Sequence, residues 1–405
     1  VRALEVLGIM RINWFSNAMF VGSGYGVQTK LFVPRIKALG HDISITAFYG
    51  LEGGILDWNG IPIYPKGLAA GMHGIDVYAL AAHARHYRAD LAISLMDVWV
   101  MPPGISQEIP YAPWFPIDME PVPPPVARSL QGCLMPLVFS HFAERMMDQA
   151  GLPYRYIPHG VDTSVYMPKL MYEARASTGL PQDAFIIGIV AANKGMPCRK
   201  AIKQQIEAFS KLHAKHSDTM LYLHTFQRPG DGENLVELCE QLGLTDGSVI
   251  FSDQYMLSLG FSEQQMCDLY SSFDVLSNVS MGEGFGVTIL EAQACGTPVI
   301  VGDWTSMSEL CFSGWTVSKD DAERWHTPLG AYQWWPRIDA IYEQMEAAYQ
   351  AKDRPQRSVI AVEKAQEYDA DRVTETYWSP VLAELDQLIA ERKPKRFEEY
   401  LHAAG

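Results

Sequence analysis

The sequence predicts an α/β protein made of two doubly wound parallel sheets, and three observations predict it. At 405 residues the chain exceeds the length at which a single core keeps growing, so two domains are expected. Short apolar, β-rich runs alternate with helical patterns to about residue 140, the grammar of a parallel sheet covered by helices. The alternation then stops at a stretch rich in Gly and Pro and restarts near residue 184.

In the first run the strands are LEVLGIM (4–10), DISITAFY (42–49), IPIY (61–64), DLAISL (90–95), YAPWFPI (111–117) and LMPLVFS (134–140), with a helix following GSGYGVQ. The second run gives AFIIGIVAA (184–192), MLYLHTF (220–226), SVIFSD (248–253), DVLSNV (274–279) and TPVIVGD (297–303), separated by helices near 200–216, 234–243, 262–273 and 287–295. Between them, IPHGVDTSVYMPK cannot continue a helix and is expected to be the linker, with Gly160 either its hinge or a tight turn. From residue 337 onward the pattern is successive amphipathic helices. The expected division is therefore 1–165 and 166–375 for the two Rossmann-like domains and 376–405 for a C-terminal helical segment. Ligands of such sheets bind beyond the carboxyl ends of the strands, which places the chemistry in the cleft between the domains.

Composition narrows the class. A balance of 32 Lys+Arg against 47 Asp+Glu gives a formal charge of −15, which opposes the broad cationic surface needed for nucleic acid or an anionic membrane. No apolar run of about 18 residues and no charged-then-apolar leader is visible, so a cytoplasmic location with at most peripheral membrane contact is expected. The cysteines (133, 198, 239, 267, 295 and 311) form no C-x-x-C pair and are expected to be reduced thiols. The pairs His83/His86 and His213/His216 have helical spacing without a third ligand, and read as helix-end histidines. The D-x-D triplet Asp369–Asp371 reads as a helix cap, so no metal site is expected.

Three stretches carry chemistry. GSGYGVQTK (22–30) places Gly22, Gly24 and Gly26 after the first strand, where backbone could approach a phosphate or simply turn. Its spacing is not that of a dinucleotide-binding loop. In CRKAIKQQIEAF (198–209), Arg199 and Lys200 fall in the first turn of the expected helix, where cations oppose the helix dipole unless an anion docks between them. In SMGEGFGVTILEAQACGTPVIV (280–301), glycines turn the chain sharply into a helix whose first amides, near Phe285, Gly286 and Val287, form an anion site. Glu291 sits on the apolar stripe of that helix and so demands a polar partner. Glu283 lies eight residues earlier, a span of up to roughly 12 Å. Two carboxylates flanking an anion site match the layout of a nucleotide-sugar, with Glu291 on the ribose and Glu283 on the sugar, or else are a helix-capping acid and a buried Glu satisfied by water.

With EGFGVTILEAQACGTPVI and its E-x7-E pair, YIPHGVD at 156–162, the glycine loop followed by KALGHDISI, and the RK helix start, the sequence resembles the family-4 retaining glycosyltransferases of the GT-B fold. That resemblance implies that Lys200, helped by Arg199, binds the donor diphosphate and Glu291 the ribose. Glu283 and the amides of Phe285, Gly286 and Val287 would grip the sugar and distal phosphate, and Gly24 would lie against the diphosphate from the N-terminal domain. Family members often carry Arg after the first strand of the second domain; here Ala192 and Asn193 stand there before a longer loop, and Asn193 is the donor-binding candidate. Where members often place a His facing the sugar, this chain has WFPID, which makes Asp118 either its substitute or a loop cap. The expected catalytic set is Glu283, Lys200 and Asp118, with no cofactor beyond the nucleoside diphosphate sugar as co-substrate. The resemblance also implies that the last helix crosses back onto the N-terminal domain. Trp14, Phe15, Trp99 and Trp114 are expected in cleft-facing loops, for a glycan, lipid-linked or small-molecule acceptor, or else in the core. The expected reaction is sugar transfer with retention by a front-face route. The competing readings are a nucleotide-sugar epimerase and a non-catalytic nucleotide-sugar-binding module.

Overall fold

The computed structural model describes residues 8–67, 76–101 and 104–392. Its first sheet holds β1 (Arg11–Asn17), β2 (Asp42–Tyr49), β3 (Leu56–Trp58), β4 (Ile61–Tyr64), β5 (Leu91–Leu95), β6 (Tyr111–Phe115), β7 (Leu137–Val138) and β8 (Arg155–Tyr156), in the order β3-β4-β2-β1-β5-β6-β7-β8. Every pairing is parallel except β3 with β4 at the edge. The second sheet holds β9 (Phe185–Val190), β10 (Thr219–His224), β11 (Val249–Phe251), β12 (Val275–Asn278), β13 (Val299–Gly302) and β14 (Gly314–Val317), ordered β11-β10-β9-β12-β13-β14 and all parallel. In both sheets the order reverses beside the first strand, the crevice where doubly wound folds bind ligands.

The first strand is not where the apolar run put it. Residues 4–7 of the expected LEVLGIM strand lie outside the described residues, and Gly8–Met10 carry no strand. The strand is RINWFSN, with Arg11 opposite Asp42. Its polar residues disguised it: Asn13 is buried because its amide donates to Ser44 Oγ (2.9 Å) and accepts from Thr46 Oγ1 (2.9 Å), while Ser16 Oγ donates to the Leu95 carbonyl (3.0 Å). Buried polar groups satisfied in this way cost little. The expected strands at 111–117 and 134–140 are shorter, ending at Phe115 before Pro116 and starting at Leu137 after Pro136.

A further antiparallel hairpin, β15 (Ala322–His326) and β16 (Tyr332–Pro336), stands apart from both sheets. The chain crosses between the halves twice, side by side: Val161 N donates to Tyr368 O (3.0 Å) and Ala370 N to Val161 O (2.9 Å). Gly160 is pinned there, its N–H and carbonyl both bonded to the Gln28 side chain (3.0 and 2.9 Å). After the second crossing Trp378 enters the first domain's core against Trp14 and Trp114, at ring separations of 5.6 and 4.9 Å. The helix Ser379–Arg392 then ties to β8 through Glu384 and Arg155 (2.5 Å). Trp14, Phe15 and Trp114 are strand residues with no exposure, so of the four proposed acceptor aromatics three are core and only Trp99 is half-buried. Among the described residues, no helix is long and apolar enough to cross a membrane.

Candidate active site

The loop after β12 and the turn before the helix Ile202–Lys215 meet at the carboxyl ends of the second sheet. Met281 N donates to the Arg199 carbonyl (2.8 Å), which fixes the two segments together. The helix starts at Ile202, with Ala201 held at φ 48 in the left-handed region, so Arg199 and Lys200 occupy the turn before it rather than its first turn. Nor are they cations lacking internal partners. Lys200 Nζ lies 2.5 Å from Glu283 Oε1, and Arg199 Nη1 bonds the Gly282 carbonyl while lying 3.4 Å from Glu283 Oε2.

Glu283 is nearly enclosed. It also accepts from Ser280 Oγ (2.6 Å), and its N–H donates to Thr305 Oγ1 (3.1 Å). Burial alone would push its carboxyl up, but Lys200 and Arg199 bring it down to about 2, so it is ionised at any working pH. Burial would lower the Arg199 guanidinium, yet Glu283, Asp118 and Asp97 together hold it above its ordinary range.

From the other domain, Asp118 follows β6 and lies 3.6 Å from Arg199. Burial pushes its carboxyl up to about 6, opposed by Arg199 and reinforced by the negative charges of Asp97 and Glu283. Asp97, just beyond β5, accepts from Tyr25 OH (3.3 Å), and burial raises its carboxyl too. The sequence reading missed Asp97 and Tyr25. An Asp directly past the carboxyl end of a parallel strand was the available signal for the first. Tyr25 has no such signal, because its partner lies 72 positions away.

The helix Val287–Ala294 begins at Gly286, which has φ 104 and provides no side-chain cap. Phe285 and Val287 flank this start, with Ser306 Oγ donating to the Phe285 carbonyl (2.8 Å). One turn in, Glu291 is 6% exposed and accepts from Tyr270 OH (2.7 Å). Burial pushes its carboxyl up to about 7, against the hydrogen bonds from Tyr270 and Tyr166. Glu291→Gln therefore has two expected results. If Glu291 binds ribose, the donor KM rises about 10-fold, the difference between a charged and a neutral acceptor, with kcat nearly unchanged. Because the folded pKa lies above the ordinary 4.5, the carboxyl's contribution to stability is complete below about 4.5 and is lost as pH rises through about 7. The melting-temperature difference, variant minus parent, should then become more positive between pH 5 and pH 8. A flat difference would mean that Glu291 keeps its charge without cost.

The Asn193 side chain donates to the carbonyls of Glu233 (2.7 Å) and Phe226 (3.1 Å) and accepts from Glu233 N (3.0 Å). It ties the loop after β9 to the loop after β10 and bonds none of Arg199, Lys200 or Glu283. Gly24 opens the helix Gly24–Ala38 one residue after its Ser23 cap, and an added Cβ there would meet nothing within 4 Å; the glycine that packing requires is Gly26, against the Val21 carbonyl.

The remaining sequence candidates resolve as structure. Asp369 caps the helix Ala370–Val373, accepting from Asp371 N (3.0 Å). His83 bonds the Pro65 carbonyl, His213 pairs with Asp246 and His216 with Glu346. Cys267 and Cys295 lie with their Sγ atoms 3.7 Å apart as free thiols. Among the described residues, no group of three or more His, Cys, Asp or Glu is arranged to hold a metal.

Residues 185–329 match the family model "Glycosyl transferases group 1" and form a domain of that family. The chain is 26% identical over 204 residues to the D-inositol 3-phosphate glycosyltransferase of Saccharomonospora viridis, covering 49% of this chain and 46% of that protein. It is 32% identical over 145 residues to the Mycolicibacterium smegmatis protein of the same name, covering 35% of this chain and 30% of that one. The match thus spans less than half the length of these curated relatives. In three dimensions the chain resembles sucrose-phosphate synthase from Thermosynechococcus elongatus, with a TM-score of 0.65 at 16% identity over 98% of this chain and 100% of that one. It also resembles Anabaena HepE in complex with UDP and glucose, with a TM-score of 0.65 at 15% identity over 93% of this chain and 100% of that one. The architecture is GT-B: two Rossmann-like domains, each on its own parallel sheet.

Proposed function

We propose that this chain transfers a sugar from a nucleoside diphosphate sugar to an acceptor hydroxyl, with retention of anomeric configuration and without a metal. One observation carries the reading: Arg199 and Lys200 converge on Glu283 beside the uncapped start of the helix Val287–Ala294, with Glu291 one turn further along. The departing diphosphate gains negative charge in the transition state. Two cations and a helix N-terminus in a half-buried cleft stabilise that charge more than they stabilise the ground state. Glu283, ionised and acceptor-only, takes hydrogen bonds from sugar hydroxyls when the cations turn to phosphate. Asp118, on the facing domain, receives a hydroxyl of the transferred sugar or of the acceptor. In the front-face route the departing phosphate oxygen takes the acceptor's proton, so no enzyme base is required. The acceptor is a hydroxyl of a glycan, a lipid-linked sugar or a small molecule.

The family of residues 185–329 supports this reading, since that span holds Arg199, Lys200, Glu283 and Glu291. Relatives named as D-inositol 3-phosphate glycosyltransferases and a fold neighbour solved with UDP and glucose agree with it. The test is turnover of a panel of nucleoside diphosphate sugars with pooled acceptors, followed by NMR of the product's anomeric proton, with and without EDTA. The donor's anomeric configuration in the product and full rate in EDTA are expected. EDTA-sensitive turnover would remove the metal-free mechanism, and an inverted anomer would remove retention. Isomerised donor formed without acceptor would make the protein an epimerase; binding without turnover would make it a binding module.

A further inference from the structure

The hairpin β15–β16 has no place in either sheet, and three successive residues of β16 join the two walls of the cleft. Tyr332 exchanges both backbone hydrogen bonds with Glu120 of the first domain (3.0 and 2.8 Å). Trp334 N donates to the Met281 carbonyl (2.9 Å), at the root of the loop that carries Glu283. Between them Gln333, 2% exposed, sends its amide across the cleft to Asp118, donating to Oδ2 (3.1 Å) and more weakly to the backbone carbonyl (3.4 Å). Outside the hairpin, Lys319 reinforces the same junction, pairing with Glu120 (3.2 Å) and lying 4.1 Å above the Trp334 ring.

A carboxylate on a loop beyond a strand end has two free torsions, and Arg199 at 3.6 Å is too far to fix them by a hydrogen bond. The Gln333 amide supplies the direct donor to that carboxylate, and it comes from the opposite domain on a strand whose neighbours are locked at both ends. We propose that Gln333 is a positioning residue for sugar transfer, holding the Asp118 carboxylate in the rotamer that faces substrate and doing so only when the two domains are joined. The inference rests on the reading of Asp118 as a substrate-facing group.

The charged groups facing Asp118 are Arg199 and Lys200 from the turn before Ile202, Glu283 from the loop after β12 and Asp97 from the end of β5. Gln333 adds an uncharged donor that favours the ionised carboxyl. Its removal should raise the Asp118 pKa, and a carboxylate in its place should raise it further. The experiment compares kcat/KM against pH for the parent, Gln333→Ala, Gln333→Met, Gln333→Glu and Asp118→Asn, using whichever nucleotide-sugar turns over. Gln333→Ala and Gln333→Met should lower kcat about 10-fold with little change in donor KM, and should move the acid limb to higher pH. Gln333→Glu should move that limb further, and Asp118→Asn should abolish it. Gln333→Met keeps the side-chain volume and serves should the alanine variant fail to fold. A uniform loss at every pH with an unmoved limb overturns the proposal, because it would make Gln333 only a packing residue. An unchanged limb in Asp118→Asn overturns instead the assignment of Asp118 on which the proposal stands.

Discussion

Lys200→Ala should lower kcat/KM at least about 100-fold, the scale expected for losing a charged donor to the leaving group, and most of the loss should fall on kcat. Lys200 stands 2.5 Å from Glu283, which is itself buried and bonded by Ser280. On the proposed function the ammonium has two duties: it neutralises Glu283 at rest, and it is the cation most easily turned toward a diphosphate. Arg199 cannot replace it, being shared among Glu283, Asp118 and the Gly282 carbonyl. Deleting one partner of an enclosed ion pair also destabilises the fold, so rates are to be measured well below the variant's unfolding temperature. Lys200→Arg should recover the stability but little of the rate, because a planar fork does not place charge where a compact ammonium does. A loss in kcat/KM under threefold for Lys200→Ala would move the leaving-group site elsewhere.

What was legible in the sequence follows from where each residue finds its partners. Parallel strands buried on both faces read as apolar runs, so β2, β4, β5 and β9 to β13 stood out, while the edge strand β14, GWTV, did not. β1 did not, because its interior Asn13 and Ser16 are satisfied by groups more than 30 residues away. The hairpin escaped for a related reason. AERWH and YQWWP show no clean alternation, and β16 bonds Glu120 through Tyr332 and Met281 through Trp334 instead of joining a single sheet. Of the proposed donor residues, Glu283, Arg199 and Lys200, which the structure brings together, were conspicuous because glycine turns and an approaching helix start give local reasons for charge to stand out. Asp97, Tyr25 and Gln333 were not, since their relevance comes from contacts between distant elements. Asn193 shows the converse relation between local pattern and distant partner. A polar residue just past a strand end looked like a ligand donor, but the adjacent loop uses its whole amide.

Gly282→Ala should cost about 100-fold in activity while leaving each domain folded. Neither Gly282 nor Gly284 has a left-handed backbone, so alanine is conformationally acceptable at both positions. What they meet decides the outcome. A Cβ on Gly282 would run into the Asp118 backbone carbonyl, with the Gln333 amide 3.2 Å away, and one on Gly284 would lie 2.5 Å from Pro116 Cβ. These glycines are where the loop carrying Glu283 touches the loop carrying Asp118, across the domain boundary. Backbone cannot yield there as a flexible side chain can, so the methyl must push the two walls apart. Separation by about 1 Å is enough to cost roughly 10²-fold when the reacting groups sit on opposite walls. The hydrogen bonds that pin the crossing segments at Gly160 and Val161 do not involve Gly282 or Asp118, so each domain is expected to stay folded. Small-angle scattering should accordingly show a larger radius of gyration for Gly282→Ala at an almost unchanged melting temperature. Activity within threefold of the parent, together with a superimposable scattering curve, would mean that the domains do not work through this contact.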